Sequence, residues 1–492
     1  MRLDDLLHGI AVRQKMGTLP AEIAGLHYDS RQIQPGWAFV AIQGLEADGH
    51  TFIPQAVAKG TRLILSERPA PQPAPVAWVQ VENARQALAQ AAANFFGQPS
   101  QRLQLIGVTG TNGKTTTTFL IEAMLRQAGW TTGLLGTIAY HVGAAVEASP
   151  HTTPESYDLQ KLLRRMVDAG CRAAVMEVSS HALALARVYA CSFAAAVFTN
   201  LTQDHLDFHG SMENYAAAKR QLFLGQGAPP PRAAVVNADD RASEGMVRGF
   251  AGPVLRYGMG ASSDLRAAAI TYTPEGTRYR LEGPAGLRAE VTSPLVGRVN
   301  VLNSLAAIGV GLSLGLEAEK IVAGIPRWPH VRGRFERVAA GQPFTVLVDY
   351  AHTPDALTNV LAAARELARG RLLLVFGCGG DRDRGKRPLM GQAAAAGADW
   401  VIVTSDNPRS ENPEAIIADI LQGIPHPAGG AEPDRARAIA KAMGEAKAGD
   451  TVVIAGKGHE TYQILGTETR HFDDAEQATQ AIDALRARGW SA

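Results

Sequence analysis

The segment Gly110–Thr116, which reads Gly-Thr-Asn-Gly-Lys-Thr-Thr, constrains the fold of this chain more than any other. It follows an apolar run from Leu103 to Val108 that predicts a buried strand, and it precedes a stretch from Thr117 to Ala128 that predicts a helix. Glycines let backbone N–H groups approach phosphate oxygens, and a helix N-terminus adds partial positive charge. The segment therefore predicts a phosphate-binding loop in which Lys114 reaches the terminal phosphates and the Thr115 hydroxyl ligates Mg²⁺.

This loop departs from the usual motif, G-x-x-x-x-G-K-[ST], because Val108 stands where the first glycine is expected. A Gly-Lys-Thr turn that arose by chance is the alternative interpretation. The strand and the helix on either side favour phosphate binding, since the mechanism requires both.

The composition narrows the class of protein. A chain of 492 residues exceeds one ordinary core, and its net charge of +1 gives no electrostatic basis for binding nucleic acid or an anionic membrane. The three cysteines lack C-x-x-C spacing, so we expect no disulfide framework and no structural zinc site. No signal-like segment and no apolar run of membrane-spanning length are visible, and a cytoplasmic protein is therefore expected.

Three blocks are expected along the chain, at residues 1–98, 99–331 and 332–492. In the second and third blocks, apolar runs that end in polar residues alternate with helical stretches, which is typical of an α/β fold with parallel sheets. Alternation from Thr271 to Arg280 predicts an antiparallel hairpin region in the second block. Further strands are expected at Ala173–Val178, Phe193–Phe198, Thr345–Val348, Leu372–Phe376, Trp400–Thr404 and Val452–Ala455.

Polar residues at three places in the second block can be solvated surface groups, and two of these places also have a functional interpretation. Glu177 ends a predicted strand and either ligates Mg²⁺ or is solvated, the latter being somewhat favoured on local grounds. The segment Asp204–His209 is either a metal or proton-transfer site or a helix N-terminus with surface polar groups, with neither favoured. Lys219 lies on a predicted helix, where a lone lysine is normally solvated.

Several predicted strands of the third block end in polar or glycine-rich loops. Thr353 before Pro354 predicts a helix N-cap with proline at the first helical position. The loops beginning at Gly377, Asp406 and Gly456 carry glycine, charge or both, and open parallel sheets bind ligands at such strand ends. The arginine-rich and lysine-rich loop at residues 382–387 favours an acidic ligand over display to solvent.

Together these motifs resemble the Mur ligases, ATP-dependent amide-bond-forming enzymes of peptidoglycan precursor synthesis. The resemblance covers nearly the full length and is closest to the members that add meso-diaminopimelate to UDP-N-acetylmuramoyl-L-alanyl-D-glutamate. It is carried by GTNGKTT at Gly110, MEVSSH at Met176, TNLTQDHLDFHG at Thr199, DYAHTPD at Asp349, GCGGDRDRGKRP at Gly377, DNPR at Asp406 and GKGHE at Gly456.

The resemblance implies three domains: an N-terminal α/β domain that binds the UDP-sugar, a central parallel-sheet ATPase domain with the phosphate loop, and a C-terminal Rossmann-like domain that binds the amino acid. It also implies a cytoplasmic monomer that serves cell-wall biogenesis, and through it cell shape and cell division. The implied contacts with the UDP-muramoyl-peptide are Tyr28, Ser30, Leu45, Glu46, Ala47, His151, Thr152, Thr153, Ser179, Leu185 and Arg187.

For the nucleotide, the resemblance implies that ATP is held by the phosphate loop and that two Mg²⁺ ions assist. Lys219 corresponds to a lysine that the family carries as a carbamate, which requires the neutral amine and creates an anionic metal ligand. Lys114, His205 and Lys219 are the implied catalytic residues, and Thr115, Glu177, His205 and Lys219 the implied metal ligands. The implied ATP contacts are Gly110, Thr111, Asn112, Gly113, Lys114, Thr115, Thr116, Asn303, Arg334 and Asp349.

For the amino acid, Arg409 is the informative position. A second carboxylate on the side chain of diaminopimelate needs a planar cation as partner, whereas the ammonium of L-lysine would be repelled by Arg409. The implied diaminopimelate contacts are Arg382, Asp406, Asn407, Pro408, Arg409, Gly456 and Glu460.

Two positions depart from the family pattern: His151 stands where related enzymes have Asn, and Leu185 where Gln is frequent. A lysine-adding Mur ligase or a folylpolyglutamate synthase is the nearest alternative. A nucleotide-binding regulator without ligase activity is an alternative of another class, and it leaves the charged loops of the third block unexplained.

Overall fold

The structure is a computed structural model that describes residues 1–44, 47–273, 275–424 and 428–488. The predicted α/β class is confirmed, because parallel strands alternate with helices through most of the chain. By internal contacts the chain divides into two compact units. The first comprises Met1–Leu201, Ser211–Asp264 and Ala306–Ile321, and the second comprises Thr202–Gly210, Leu265–Leu305 and Val322–Ala492. The domain boundaries at residues 98 and 331 stay a prediction.

The N-terminal part of the first unit is a five-stranded sheet in the order β1-β5-β4-β3-β2. Only the β1–β5 pair is antiparallel. Every residue of β3 and β4 is buried, as expected for strands covered on both faces. Its elements are α1 (Leu3–Leu6), β1 (Val12–Met16), β2 (Leu26–His27), β3 (Ala38–Ala41), α2 (Ile53–Ala58), β4 (Leu63–Ser66), β5 (Ala77–Val81) and α3 (Ala84–Phe95).

The remainder of the first unit contains eight strands in the order β13-β12-β11-β6-β10-β7-β8-β9. Strands β13 to β7 in this order are parallel, and β8 and β9 extend the edge in antiparallel fashion. The elements are β6 (Gln104–Thr109), α4 (Lys114–Gln127), β7 (Thr132–Leu135), β8 (Ala139–Val142), β9 (Ala145–Ala148), α5 (Ser156–Asp168), β10 (Ala173–Glu177), α6 (Ser180–Ala184), β11 (Ala195–Phe198), α7 (Leu206–His209, in the second unit), α8 (Met212–Leu224), β12 (Ala233–Asn237), α9 (Ser243–Met246) and β13 (Val254–Gly258).

An antiparallel meander begins the segment Leu265–Leu305 of the second unit, as the alternation of its sequence predicts. It consists of β14 (Leu265–Thr273), β15 (Gly276–Glu282) and β16 (Arg288–Ser293). Two helices follow, α10 (Arg298–Ser313) and α11 (Ala318–Gly324).

The C-terminal part of the second unit is a six-stranded sheet in the order β17-β18-β22-β19-β20-β21. All of its pairs are parallel except β17–β18. The elements are β17 (Glu336–Val338), β18 (Thr345–Asp349), α12 (Pro354–Arg365), β19 (Leu372–Phe376), α13 (Lys386–Gly397), β20 (Trp400–Thr404), α14 (Pro413–Leu421), β21 (Gly430–Glu432), α15 (Arg435–Glu445), β22 (Thr451–Ala455), β23 (Tyr462–Leu465), β24 (Glu468–His471) and α16 (Asp474–Ala487).

Two apolar layers cover the faces of this six-stranded sheet. One includes Leu357 and Leu361 of α12 with Met390 of α13. The other includes Ile439 of α15 and Ile482 of α16. Because both faces are covered, the carboxyl ends of the parallel strands are where this sheet presents polar loops.

Candidate active site

The phosphate loop lies between β6 and α4, as the sequence predicts. Gly110 has φ +146° and Gly113 has φ +84°, both in the region that favours glycine. A Cβ atom on Gly110 would overlap Thr199 Oγ1, just beyond β11. The glycines therefore provide both the turn and the close approach between neighbouring strand ends.

Polar contacts fix this loop against the end of β11. The Thr111 N–H donates to the Asn200 carbonyl, and the Asn112 N–H donates to Asn200 Oδ1, each at 2.9 Å. Thr199 Oγ1 donates to the Asn112 carbonyl at 2.6 Å. The protein's own groups therefore stabilise the conformation of this loop.

Lys114 is the first residue of α4, and its side chain folds back over the loop. Its Nζ donates to the carbonyls of Gly110 (3.0 Å) and Thr111 (2.8 Å). The helix N-terminus adds positive potential at the same place. Together they form a site suited to an anion such as a polyphosphate.

Glu177 is buried at the end of β10, with 1% of its surface exposed. Thr115 Oγ1 donates to its Oε2 at 3.0 Å, and the Thr137 N–H donates to its Oε1 at 2.7 Å. The interpretation of Glu177 as a solvated strand-end residue is therefore wrong. The structure brings this carboxylate together with the first turn of the phosphate-loop helix.

Lys219 is 1% exposed, although its place on α8 gave no local sign of burial. Its Nζ donates to the Gly110 carbonyl at 2.8 Å and lies 4.2 Å from the centre of the Tyr215 ring. The expectation that a lone helical lysine is solvated is therefore wrong here. The structure places this amine beside the phosphate loop.

His205 is the N-cap residue of the four-residue helix α7, with φ +53°. Its side chain is 45% exposed, and its Nε2 lies 3.3 Å from Asp204 Oδ2. His209 ends the same helix and is buried. This segment is a helix N-terminus, and no cluster of three or more His, Cys, Asp or Glu side chains suited to a metal occurs among the described residues.

Tyr28 and Ser30 lie near the end of β2, where their hydroxyls contact other side chains. Tyr28 donates to Asp158 Oδ2 at 2.7 Å, and Ser30 donates to Gln55 Oε1 at 2.6 Å. Burial and the hydrogen bond to Asp158 raise the pKa of Tyr28 above its ordinary value. Ala47 is described, whereas the neighbouring predicted contacts, Leu45 and Glu46, lie outside the described residues.

A hydrogen-bonded chain connects the phosphate-loop helix to the predicted muramoyl-peptide residues. Thr137 Oγ1 lies 3.2 Å from Glu177 Oε2 and 3.0 Å from Thr152 Oγ1. Thr153 Oγ1 donates to the Glu177 carbonyl at 2.8 Å and accepts from the Ser179 N–H at 3.2 Å. These threonines and Ser179 therefore surround the end of β10.

The other three predicted peptide contacts are Arg187, His151 and Leu185. Arg187 Nη1 donates to the Thr153 carbonyl at 3.1 Å, and its Nε lies 3.5 Å from Glu155 Oε2. His151 accepts a hydrogen bond at its carbonyl from the Tyr140 hydroxyl. Leu185 is the C-cap residue of α6.

The three remaining predicted ATP contacts belong to the second unit. Asn303 is buried on α10, where its Nδ2 donates to Asn300 Oδ1 at 3.2 Å. Asp349 ends β18 and accepts from the Phe335 N–H at 2.7 Å. Burial raises the pKa of Asp349, and the Arg334 guanidinium opposes that shift.

The loops after β20 and β22 bring four predicted amino-acid contacts together. Asn407 Nδ2 donates to Glu460 Oε2 at 2.8 Å. A Cβ on Gly456, which has φ +118°, would lie 2.5 Å from Asp406 Oδ2, so glycine allows this carboxylate its position. Burial and the Asp406 charge raise the pKa of Glu460, while Lys457 and Asn407 lower it.

Arg409 lies beside the glycine-rich loop that follows β19. Its backbone has φ +52°, and its Nη1 donates to the Gly380 carbonyl at 2.9 Å. Arg382 is exposed on the same glycine-rich loop and donates to the Asp381 carbonyl at 2.8 Å. Pro408 immediately precedes Arg409 and is buried.

The cationic side chains at residues 382–387 bond to carbonyls and carboxylates of the protein itself. Arg387 is fully buried, with Nη2 at 2.8 Å from Glu411 Oε1 and Nη1 at 2.9 Å from Asp419 Oδ2. Arg384 pairs with Glu411 at 2.8 Å. The expectation that this loop serves an acidic ligand is therefore wrong for Arg387, whose carboxylate partners lie far along the chain, and it stays a prediction for Arg384, which is 70% exposed.

Two buried cations near the strand ends were missed by sequence reasoning. Lys457 is 0% exposed and donates to Asn407 Oδ1 and Glu460 Oε2. Arg435 forms a fully buried pair with Asp474 and donates to the Ala455 carbonyl. The G-K-G spacing after a strand could have indicated the first, whereas no local pattern indicates the second.

None of the helices in the described part of the chain is long and apolar enough to cross a membrane.

Comparison with known proteins identifies the family. The descriptions that match are "Mur ligase family, catalytic domain" at residues 22–96, "Mur ligase middle domain" at 108–311 and "Mur ligase, glutamate ligase domain" at 333–458. The chain is 49% identical over 486 residues to the UDP-N-acetylmuramoyl-L-alanyl-D-glutamate–2,6-diaminopimelate ligase of Solibacter usitatus, covering 98% of both chains. It is 51% identical over 494 residues to the enzyme of the same name from Gloeobacter violaceus, covering 98% of this chain and 99% of the other.

A solved structure described as a UDP-N-acetylmuramoyl-L-alanyl-D-glutamate–2,6-diaminopimelate ligase superposes with a TM-score of 0.72 at 34% identity, covering 99% of each chain. Matches of this identity and coverage show the family. The chain belongs to the Mur ligase family.

Proposed function

We propose that this protein is an ATP-dependent ligase that adds meso-diaminopimelate to UDP-N-acetylmuramoyl-L-alanyl-D-glutamate in the cytoplasm. The names of relatives at 45–51% identity over most of the chain support the substrates. The observation that carries the proposal is the arrangement of Lys114, Glu177 and Lys219 around one phosphate loop.

The chemistry proceeds in two steps. The carboxylate of the muramoyl-dipeptide attacks the γ-phosphorus of ATP, the bond to the bridging oxygen breaks, and an acyl phosphate and ADP form. The amine of diaminopimelate then attacks the activated carbonyl, loses a proton, and inorganic phosphate leaves. Lys114 and the N-terminus of α4 stabilise the negative charge on the transferring group.

The donor set around the loop fits a magnesium ion in part. Thr115 and Glu177 offer a hydroxyl and a buried carboxylate 3.0 Å apart, and oxygen donors are what Mg²⁺ prefers. His205 and a carbamate on Lys219 are the further proposed ligands. An unmodified lysine amine does not fit a hard cation, whereas a carbamate supplies oxygen. Bound Mg²⁺ would neutralise phosphate charge.

Four groups on the C-terminal loops are proposed to receive the amino acid. Asp406 and Glu460 supply negative charge for an ammonium group, and Arg382 and Arg409 supply positive charge for the distal carboxylate. Arg409 selects diaminopimelate over lysine, because lysine would place an ammonium beside this guanidinium.

Phosphate release distinguishes the proposal from its alternatives. With ATP, Mg²⁺ and UDP-N-acetylmuramoyl-L-alanyl-D-glutamate present, meso-diaminopimelate should support release and L-lysine should not. Preference for lysine would assign the chain to the lysine-adding type. Binding of ATP with no amide product from either amino acid would favour a nucleotide-binding regulator.

A further inference from the structure

Lys457 occupies a position that the proposed function does not use. It follows β22 directly after Gly456, and none of its surface is exposed. Its Nζ donates to Asn407 Oδ1 at 3.1 Å and to Glu460 Oε2 at 3.3 Å, and it lies 5.5 Å from the centre of the Tyr462 ring. A buried ammonium with these partners connects the loops after β20 and β22.

The lysine determines how the Asn407 amide is oriented. A lysine ammonium and a backbone N–H can only donate hydrogen bonds. Asn407 Oδ1 faces both Lys457 Nζ and the Ile464 N–H, the latter at 3.0 Å, so this atom must be the amide oxygen. The amide nitrogen is therefore the atom that faces Glu460 Oε2, at 2.8 Å.

This arrangement leaves one oxygen of Glu460 available. Oε2 accepts from both Lys457 and Asn407, while Oε1 accepts no hydrogen bond from the residues that the structure describes. The available oxygen lies on a carboxylate that is fixed by two donors. Such a group can receive a cation without first being ordered.

Glu460 needs a neighbouring cation if it is to remain a charged carboxylate. Asp406 is a second carboxylate that repels it, and burial also disfavours its charged form. Lys457 and Asn407 act in the opposite direction. Among the described residues, Tyr350, Tyr462 and Arg435 also interact electrostatically with Glu460.

We propose that Lys457 is a positioning residue that holds Glu460 as an oriented anion, ready to receive an ammonium group of the incoming diamino acid. This inference rests on the proposed function, because it takes diaminopimelate as the ligand of Glu460. Lys457 itself acts through Glu460 and Asn407 and does not touch the substrate.

The test is the KM for meso-diaminopimelate in the full chain, measured at saturating ATP and UDP-dipeptide from about pH 6.5 to about pH 9. Lys457→Met should raise this KM by about tenfold or more at neutral pH, because a charged hydrogen-bond partner is lost. Without Lys457 the pKa of Glu460 rises, so the ratio of variant to wild-type KM should fall as the pH increases. The KM for ATP should change little.

Matched variants separate this role from a purely structural one. Lys457→Gln, which keeps a donor but loses the charge, should show the same pH-dependent ratio and serves if Lys457→Met does not fold. In a Glu460→Gln background, Lys457→Met should add little further effect, since the two residues act as one unit. Lys441→Met, which alters an exposed lysine bonded to the Gly429 carbonyl, should leave the KM unchanged at every pH.

Three results would overturn the role of Lys457: an unchanged KM, a KM ratio that is constant with pH, or an effect that persists fully in the Glu460→Gln background. A wild-type enzyme that forms no product with diaminopimelate would instead refute the proposed function, and the inference with it. The two failures are therefore distinguishable.

Discussion

At the scale of single residues, the buried amine of Lys219 is the most consequential group. Its side chain is buried, and its Nζ donates to the Gly110 carbonyl and lies beside the Tyr215 ring. In general, removal from water favours the neutral form of an amine, and the neutral form is what reacts with carbon dioxide to give a carbamate. The burial of this residue is thus consistent with its proposed modification.

We expect Lys219→Ala to lower the ligation rate by about 10²-fold or more, because the anionic carbamate is lost. Short carboxylic acids should restore part of the rate by supplying a replacement carboxylate. Lys320→Ala, on a side chain that is 70% exposed and paired with Glu317, is the control and should retain the full rate. A wild-type rate in Lys219→Ala would remove this residue from the mechanism.

Arg409→Ala should raise the KM for diaminopimelate by about tenfold or more while leaving the KM for ATP unchanged, because a guanidinium–carboxylate contact is lost. Steady-state kinetics with each substrate varied in turn provide the measurement. Arg470→Ala, which alters an exposed arginine paired with Glu468, is the matched control. An unchanged KM for diaminopimelate in Arg409→Ala would be evidence against the proposed contact.

At the scale of elements, the parallel strands of the C-terminal sheet present their loops at one edge. Sequence predicted β19 and β20 with their observed bounds, and it predicted the N-cap Thr353, whose side chain accepts from the Ala356 N–H. These features depend on neighbours in sequence. The ion pair between the buried Arg387 and Glu411 joins residues 24 positions apart, which no local pattern reveals.

Gly456→Ala should impair amino-acid binding, because its Cβ would press on Asp406 Oδ2 at 2.5 Å and because φ is +118°. Gly466→Ala is the control: its φ is also positive, at +61°, but nothing lies within 4 Å of the added Cβ. We expect a rise of about tenfold or more in the KM for diaminopimelate for the first and a small change for the second. Equal effects would show that backbone strain, and not contact with Asp406, is responsible.

His459, in the loop after β22, is expected to make the stability of the fold depend on pH. Burial, aided by the Arg334 and Arg332 charges, lowers the pKa of His459 to about 3 from an ordinary value of 6.5. Below pH 6.5 the unfolded chain binds a proton that the folded chain does not bind until about pH 3, so stability is lost as the pH falls through this window.

The free energy of unfolding should therefore fall less steeply with acidification in His459→Gln than in the wild type. The two slopes should differ by up to about 1.4 kcal/mol per pH unit, the value for one proton. Urea denaturation from neutral pH down to about pH 4 measures both slopes. Identical slopes for the variant and the wild type would show that His459 does not carry this dependence.

At the scale of the whole molecule, the sequence predicted the α/β class and the family, because several motifs at strand ends coincide in one chain. It did not predict the contacts inside the site. The burial of Lys219 depends on Gly110, and the order of Glu460 depends on Asn407, each more than 50 residues away in sequence. Such contacts follow from strand order, which local patterns leave undetermined.

The most direct test of the central claim is the mass of the product formed from UDP-N-acetylmuramoyl-L-alanyl-D-glutamate, ATP, Mg²⁺ and an equimolar mixture of meso-diaminopimelate and L-lysine. We expect one main product, with the mass of the UDP-dipeptide joined to diaminopimelate through a single amide bond, together with ADP and phosphate. A main product carrying lysine, or hydrolysis of ATP without any amide product, would contradict this expectation.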